Sequence, residues 1–223
     1  PIVLLRNGWI VQSKNFSKYQ NLGNPVTSVK RLSEWASDEI IYIDISKDDN
    51  YDMRRDDQGY KNRNNFLDII KDVSEIAFMP ITVGGKIRTL QDIENRLKNG
   101  ADKVCLNTMA LQDIHFIEES AKAFGSQCIV ISIDAKVLNG VHKVFSDGGK
   151  NETKYTPAQL AKEVESYGAG EILINSIDND GQGNGYDIGL LNQVCNNVSI
   201  PVIACGGVGN WDHFSEAFNK TND

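Results

Sequence analysis

Two kinds of residue in this chain stand where chemistry could be done: a carboxylate ending one apolar run, and glycine pairs ending two others. Asp134 closes IVISID (129–134), with Lys136 two residues further on. Such a carboxylate can serve as a general base, because apolar surroundings raise its pKa and a neighbouring ammonium lowers it. Its plain alternative is a structural strand end. Gly84-Gly85 closes PITVGG (80–85) and Gly206-Gly207 closes PVIACGG (201–207). Glycine there lets backbone N–H groups approach an anion, and the N-terminus of a following helix adds partial positive charge. One pair alone would read as a turn. Two in matching positions read as two phosphate sites, suited to a ligand phosphorylated at both ends.

Three further groups belong to the same reckoning. Lys86, directly after the first pair, adds a cation to that site or is simply solvated. The stretch SIDNDGQGNGYD (176–187) offers Asp178, Asp180 and three glycines to a phosphate or ribose, or is a glycine-rich loop ending in the helix cap Asp187. Glu39, Lys103 and Glu171 each open an apolar run. They form a solvated rim or, pointing inward, a ring of alternating charge, since unpaired buried charges are too costly.

The elements that must position these residues follow from periodicity. Continuous Val- and Ile-rich runs at 2–5, 39–45, 80–85, 103–107, 129–134, 171–176 and 201–207 predict strands buried on both faces. Between them lie amphipathic patterns, several opened by Thr or Asp and closed by Gly or Asn, which predict helices. Strict alternation predicts parallel βαβ units. Seven units are visible, one short of a closed (β/α)8 TIM barrel, with the eighth expected beyond Asp223; an open doubly wound sheet is the other solution.

An internal repeat favours the barrel. GADKVCLN is echoed by GAGEILIN, and PITVGG by PVIACGG; Pro80 and Pro201 are 121 residues apart, whereas Glu39 and Glu171 are 132 apart. The 11 additional residues in the first half fall in a polar stretch, giving a long βα loop at about 47–65. One domain over 1–223 is expected, in half-barrels of about 1–125 and 126–223. The repeat also matches PIVLLRNG to IVISIDAKVLNG, two strands leading to Asn-Gly turns, of which only the second carries a carboxylate.

Composition narrows the function. A net charge of −7, from 23 basic and 30 acidic residues, is a poor footprint for nucleic acid or anionic membrane. No apolar run approaches the ~18 residues of a membrane span. The four cysteines are scattered, so no metal site, cofactor or disulfide framework is expected, and the chain reads as cytoplasmic. There is no signal peptide, and the absence of Met before Pro1 places the expected start upstream.

The stretches NPVTSVKRLSEWASDEIIYIDIS, PITVGGKI, GADKVCLNT, FGSQCIVISIDAK, GAGEILINSIDNDGQGNGYD and PVIACGGVGNWDHFSEAF together resemble the cyclase subunit of imidazole glycerol phosphate synthase, the HisF family. The resemblance implies a (β/α)8 barrel binding a doubly phosphorylated substrate, with a HisH-like glutaminase on its floor and ammonia passing through to the active site. It implies that Asp134 is the catalytic base and that Gly85, Asn107, Asp180, Gly181, Gly206 and Gly207 lie at or near the substrate. Glu39, Lys103 and Glu171 match members of a charged ammonia gate whose arginine would precede Pro1, and Asp102 matches the glutaminase-facing surface.

Departures from that pattern shape the expected function. Leu4 stands where the family has a second catalytic Asp, Gln12 where it has a substrate-binding lysine, and Lys86 where it has a third glycine. Leucine cannot exchange a proton, and general acid–base help is worth about 10²–10⁴-fold. The pattern is similar to divergent HisF-like proteins that accompany amidation of surface-polysaccharide sugars, together with a separate ATP-dependent amidotransferase. The leading expectation is therefore an ammonia-channelling subunit for amidino-sugar formation in bacterial surface-polysaccharide (lipopolysaccharide) synthesis. The alternatives are a histidine-pathway cyclase and a non-catalytic scaffold that activates the glutaminase.

Overall fold

A computed structural model describes residues 1–35, 37–49, 51 and 63–221. Most of the expected 47–65 loop, residue 50 and residues 52–62, lies outside the described residues. The chain divides into two compact units, Pro1–Gln12 with Tyr19–Cys105, and Ser13–Lys18 with Leu106–Asp223.

The first unit contains β1 (Ile2–Arg6), β2 (Trp9–Lys14), β3 (Lys18–Gly23), α1 (Pro25–Glu34), β4 (Ile40–Asp44), α2 (Phe66–Ser74), β5 (Ile81–Gly84), α3 (Leu90–Lys98) and β6 (Lys103–Leu106). β1, β4, β5 and β6 run parallel in that order, while β2 folds back antiparallel on β1. Val3, Leu5, Ile40, Tyr42, Ile81 and Val83 share a core with Val29 of α1 and with Ile69, Ile70 and Val73 of α2. This is one face of the sheet, because alternate strand residues point the same way.

The second unit adds α4 (Thr108–Gln112), α5 (His115–Phe124), β7 (Ile129–Leu138), β8 (Val141–Ser146), β9 (Asn151–Glu152), α6 (Pro157–Ser166), β10 (Glu171–Ser176), α7 (Ile188–Cys195), β11 (Val202–Cys205) and α8 (Trp211–Lys220). β7, β10 and β11 are parallel. Every residue from Ile129 to Ala135 is buried, which is why that run reads as continuously apolar.

All seven expected helices form, and the starts of six, all but α5, follow capping chemistry. Thr89 and Thr156 make reciprocal capping boxes with Asp92 and Gln159, while Asn24, Asn65, Asp187 and Asn210 accept from first-turn N–H groups. The unforeseen elements are β2, β3, β8, β9 and the short α4, and of these β2 and β8 are return strands. Asn7-Gly8 and Asn139-Gly140 all have positive φ, as a two-residue hairpin turn requires, and the chain then pairs back through Arg6–Trp9 and Leu138–Val141.

Strand register supports the equivalence of the two opening strands. Leu4 lies opposite Ile43, and Asp134 lies opposite Asn175. Ile43 and Asn175 are separated by the same 132 residues as Glu39 and Glu171.

Candidate active site

In the second unit, Asp134 sits where β7 passes from its parallel pairing with β10 into its hairpin with β8. It is 7% exposed, and its neighbours are polar. Oδ1 accepts from the Ser132 hydroxyl at 3.0 Å, and Oδ2 accepts from Asn107 Nδ2 at 3.2 Å. Asn107 also donates to the Ser132 carbonyl at 3.0 Å, which fixes the amide that meets the carboxylate. Ser132 and Asp134 are two apart on one strand and so share a face. That spacing could have identified Ser132 from sequence.

Burial lifts the Asp134 carboxyl from the ordinary 3.8 to about 6; hydrogen bonds from Ser132 and Asn175 act against the rise, and the charge of Asp180 adds to it. The ammonium expected to lower it does not take part. Lys136 lies over the Phe145 ring at 4.0 Å and donates to the Gly149 carbonyl at 3.3 Å. A carboxylate with a pKa near 6 is ionised at neutral pH and still basic enough to take a proton. Cys205, at the end of β11, has its thiol pushed up to about 12 by burial and by the charges of Asp180 and Asp134, so it is not a thiolate nucleophile at neutral pH.

The loop after β10 is anchored through its acidic residues. Asp180 accepts from the Ser13 hydroxyl at 2.6 Å and from the Phe16 N–H at 3.2 Å. Gly181 follows at φ +66°, where a Cβ would lie 2.4 Å from the Ser13 carbonyl oxygen. Asp178 accepts from the Val137 N–H at 2.8 Å, which stitches the loop to β7, and Asp187 caps α7 through the Leu190 N–H. Gly206 and Gly207, at φ +93° and +103°, stand next in the same unit. A Cβ on Gly207 would lie 2.0 Å from the Gly185 carbonyl oxygen, so backbone passes backbone with no room for a side chain. The Gly185 N–H donates to Gly207 at 2.8 Å, joining the glycine-rich loop to the second glycine pair.

The first glycine pair belongs to the first unit. Gly84 packs against Cys105, and Gly85, at φ +97°, has its Cβ position 2.2 Å from the Asp44 carbonyl oxygen. Lys86 is neither a free cation nor simply solvated. Its ammonium lies 3.6 Å from the buried Asp44 carboxylate and 3.2 Å from Asp49. Asp44 also accepts from the Tyr51 hydroxyl at 3.0 Å and from the backbone N–H of Ser46 at 2.9 Å. Asp44, Ser46 and Tyr51 escaped sequence reading, although their bonds are local, since Asp44 there reads only as the end of an apolar run.

At the start of the first unit's strands, Glu39 and Lys103 form an ion pair at 3.2 Å, and Glu39 also accepts from Thr82 Oγ1 at 2.7 Å. Asp102 is exposed, and its carboxylate accepts from the Ile81 N–H at 2.8 Å. Glu171 opens β10 in the second unit, opposite Val130 and half-buried. Leu4 and Gln12 lie on β1 and β2; Leu4 is half-buried. Among the described residues no group of His, Cys, Asp and Glu is arranged to hold a metal ion, and no helix is long and apolar enough to cross a membrane.

Comparison with known proteins adds family to geometry. The imidazole glycerol phosphate synthase subunit HisF of Hydrogenobaculum sp. (strain Y04AAS1) is 43% identical over 222 residues, covering 99% of this chain and 84% of the relative. The protein of the same name from Campylobacter concisus (strain 13826) is 41% identical over 223 residues, covering 100% and 84%. That from Exiguobacterium sp. (strain ATCC BAA-1283 / AT1b) is 39% identical over 222 residues, covering 100% and 83%. The model of the family described as "Histidine biosynthesis protein" matches residues 1–223. With a family match along its whole length and relatives near 40% identity, this chain belongs to the histidine biosynthesis protein family.

Proposed function

We propose that this chain is a HisF-type cyclase subunit of imidazole glycerol phosphate synthase, with Asp134 as its general base. The observation that carries the reading is the Asp134 site itself: a buried strand-end carboxylate, held by Ser132 and Asn107, with a proton affinity suited to exchange near neutrality. The names of the relatives move the balance from surface-sugar amidation, the leading expectation from sequence, to the cyclase. On this reading the chain is built from two half-barrels, about 1–125 and 126–223. Gly84 and Gly85 in the first unit and Gly206 and Gly207 in the second each receive a phosphate, while Asn107, Asp180 and Gly181 shape the space around Asp134. A HisH-like glutaminase docks on the face bearing Asp102, and Glu39, Lys103 and Glu171 gate the ammonia it releases.

A second reading is favoured by one observation. Leu4 occupies the β1 position whose register partner corresponds to that of Asp134, and it offers no carboxylate. If both carboxylates are needed for ring closure, the chain delivers ammonia to another acceptor, an amidino-sugar precursor, through a separate ATP-dependent amidotransferase. Steady-state turnover of the phosphoribulosyl substrate with an ammonium salt separates the two. Ordinary cyclase rates, with rescue of a cyclase-deficient strain, support the first reading. No turnover by a protein that still activates its glutaminase overturns it in favour of the second.

A further inference from the structure

We infer that Arg96 is a positioning residue for the first glycine turn, holding the Gly85–Lys86 peptide in the orientation that receives a phosphate; this rests on reading Gly84-Gly85 as a phosphate site. α3 turns Ile93 and Arg96 inward, three residues apart on one face; Ile93 is 0% exposed and Arg96 only 7%. A position beside a fully buried isoleucine is ordinarily apolar, since a buried guanidinium must replace the hydration it loses. Arg96 replaces only part of it within its own helix, where Nη1 donates to the Asp92 carbonyl at 2.9 Å. Nη2 reaches out of the helix and donates to the Gly85 carbonyl at 2.7 Å, and Nε has no hydrogen-bond partner among the described residues.

The direction of that one bond matters. In a trans peptide the carbonyl and the following N–H point opposite ways. By drawing the Gly85 carbonyl toward α3, Arg96 turns the Lys86 N–H away from it, to the side where an anion can accept it. The rest of the turn is prepared for this: Gly85 and Lys86 both hold positive φ, +97° and +54°, and the Lys86 side chain is drawn onto Asp44. A buried charge is weak evidence of a stabilising role, because its desolvation can exceed the attraction it gains. Arg96 also feels the charge of Asp44, which would keep Lys86, Ser46 and Tyr51 as partners in its absence.

The test is titration of the 15N-labelled full chain with inorganic phosphate, reading the Gly85 and Lys86 amides against those of Gly206 and Gly207. In Arg96→Met, affinity at Gly85 and Lys86 should fall about tenfold, the worth of one hydrogen bond to a charged group, while Gly206 and Gly207 respond as in the wild type. Equal affinity at the first turn in both proteins overturns the inference. No response at either turn of the wild type instead defeats the phosphate reading on which it rests. Should Arg96→Met fail to fold, the wild-type Arg96 guanidinium signals serve in its place: they move with phosphate if Arg96 carries the turn, and stillness overturns the inference.

Discussion

Replacing Asp134 by asparagine sets function against stability in a way that can be worked through. Folding raises the Asp134 carboxyl from 3.8 to about 6. Below about pH 3 the group is protonated in both folded and unfolded chains and costs nothing. As pH rises from there toward 6, the unfolded chain sheds the proton while the folded chain keeps it, so stability is lost through this window. Above it the penalty is complete, about 3 kcal/mol at roughly 1.4 kcal/mol per tenfold in proton affinity. Asparagine does not titrate and escapes the penalty. It disturbs the bonds from Ser132 and Asn107 at a cost of about 1 kcal/mol each, but that cost does not depend on pH. Urea unfolding of both proteins should therefore show Asp134→Asn gaining about 2–3 kcal/mol on the wild type between about pH 4 and about pH 8. The same variant should lose about 10²–10⁴-fold in turnover. A stability difference that stays flat across that range would refute a buried carboxyl titrating near 6, whatever the activity does.

Other expectations can be checked alongside. Gly85→Ala, which puts a Cβ 2.2 Å from a carbonyl oxygen at φ +97°, should destabilise by about 1–3 kcal/mol in urea titrations, whereas Gly140→Ala, with open space around it, should cost only the left-handed penalty of about 1 kcal/mol. Leu4→Asp should raise turnover of the phosphoribulosyl substrate about 10²–10⁴-fold if the second reading holds and only the acid is missing; an unchanged rate would show that more than one residue separates this chain from a cyclase. Lys103→Met should leave ammonium-driven turnover near the wild type while lowering product formed per glutamine hydrolysed. An equal loss in both assays would place the Glu39–Lys103 pair in the fold and not on the ammonia route.

What sequence could foretell depended on how local the cause was. β7 was legible because each residue from Ile129 to Ala135 is buried, so burial on two faces writes itself as an unbroken apolar run. The helices were legible through Thr89, Thr156 and Asp187, whose capping partners lie three residues away. The hairpins could have been found, since Asn-Gly followed by Trp9-Ile10-Val11 is a strong local signal, but the burial of the return strands is irregular. Arg96 was not legible: a charge in the middle of a helix reads as a solvent-facing residue until the Gly85 carbonyl is seen beside it. Nor was the bond from Ser13 to Asp180, which spans 167 residues and leaves no pattern in either segment.

The double pairing of β7 bears on how the site moves. At Asp134 the strand is flanked in register by Asn175 of β10 and by Phe145 of β8. A backbone secured on both sides opens to solvent only when a whole cooperative unit opens, so deuterium uptake at Asp134 and Ala135 should be among the slowest in the second unit. Asp134 is then a fixed post, and any local motion around it falls to the loops.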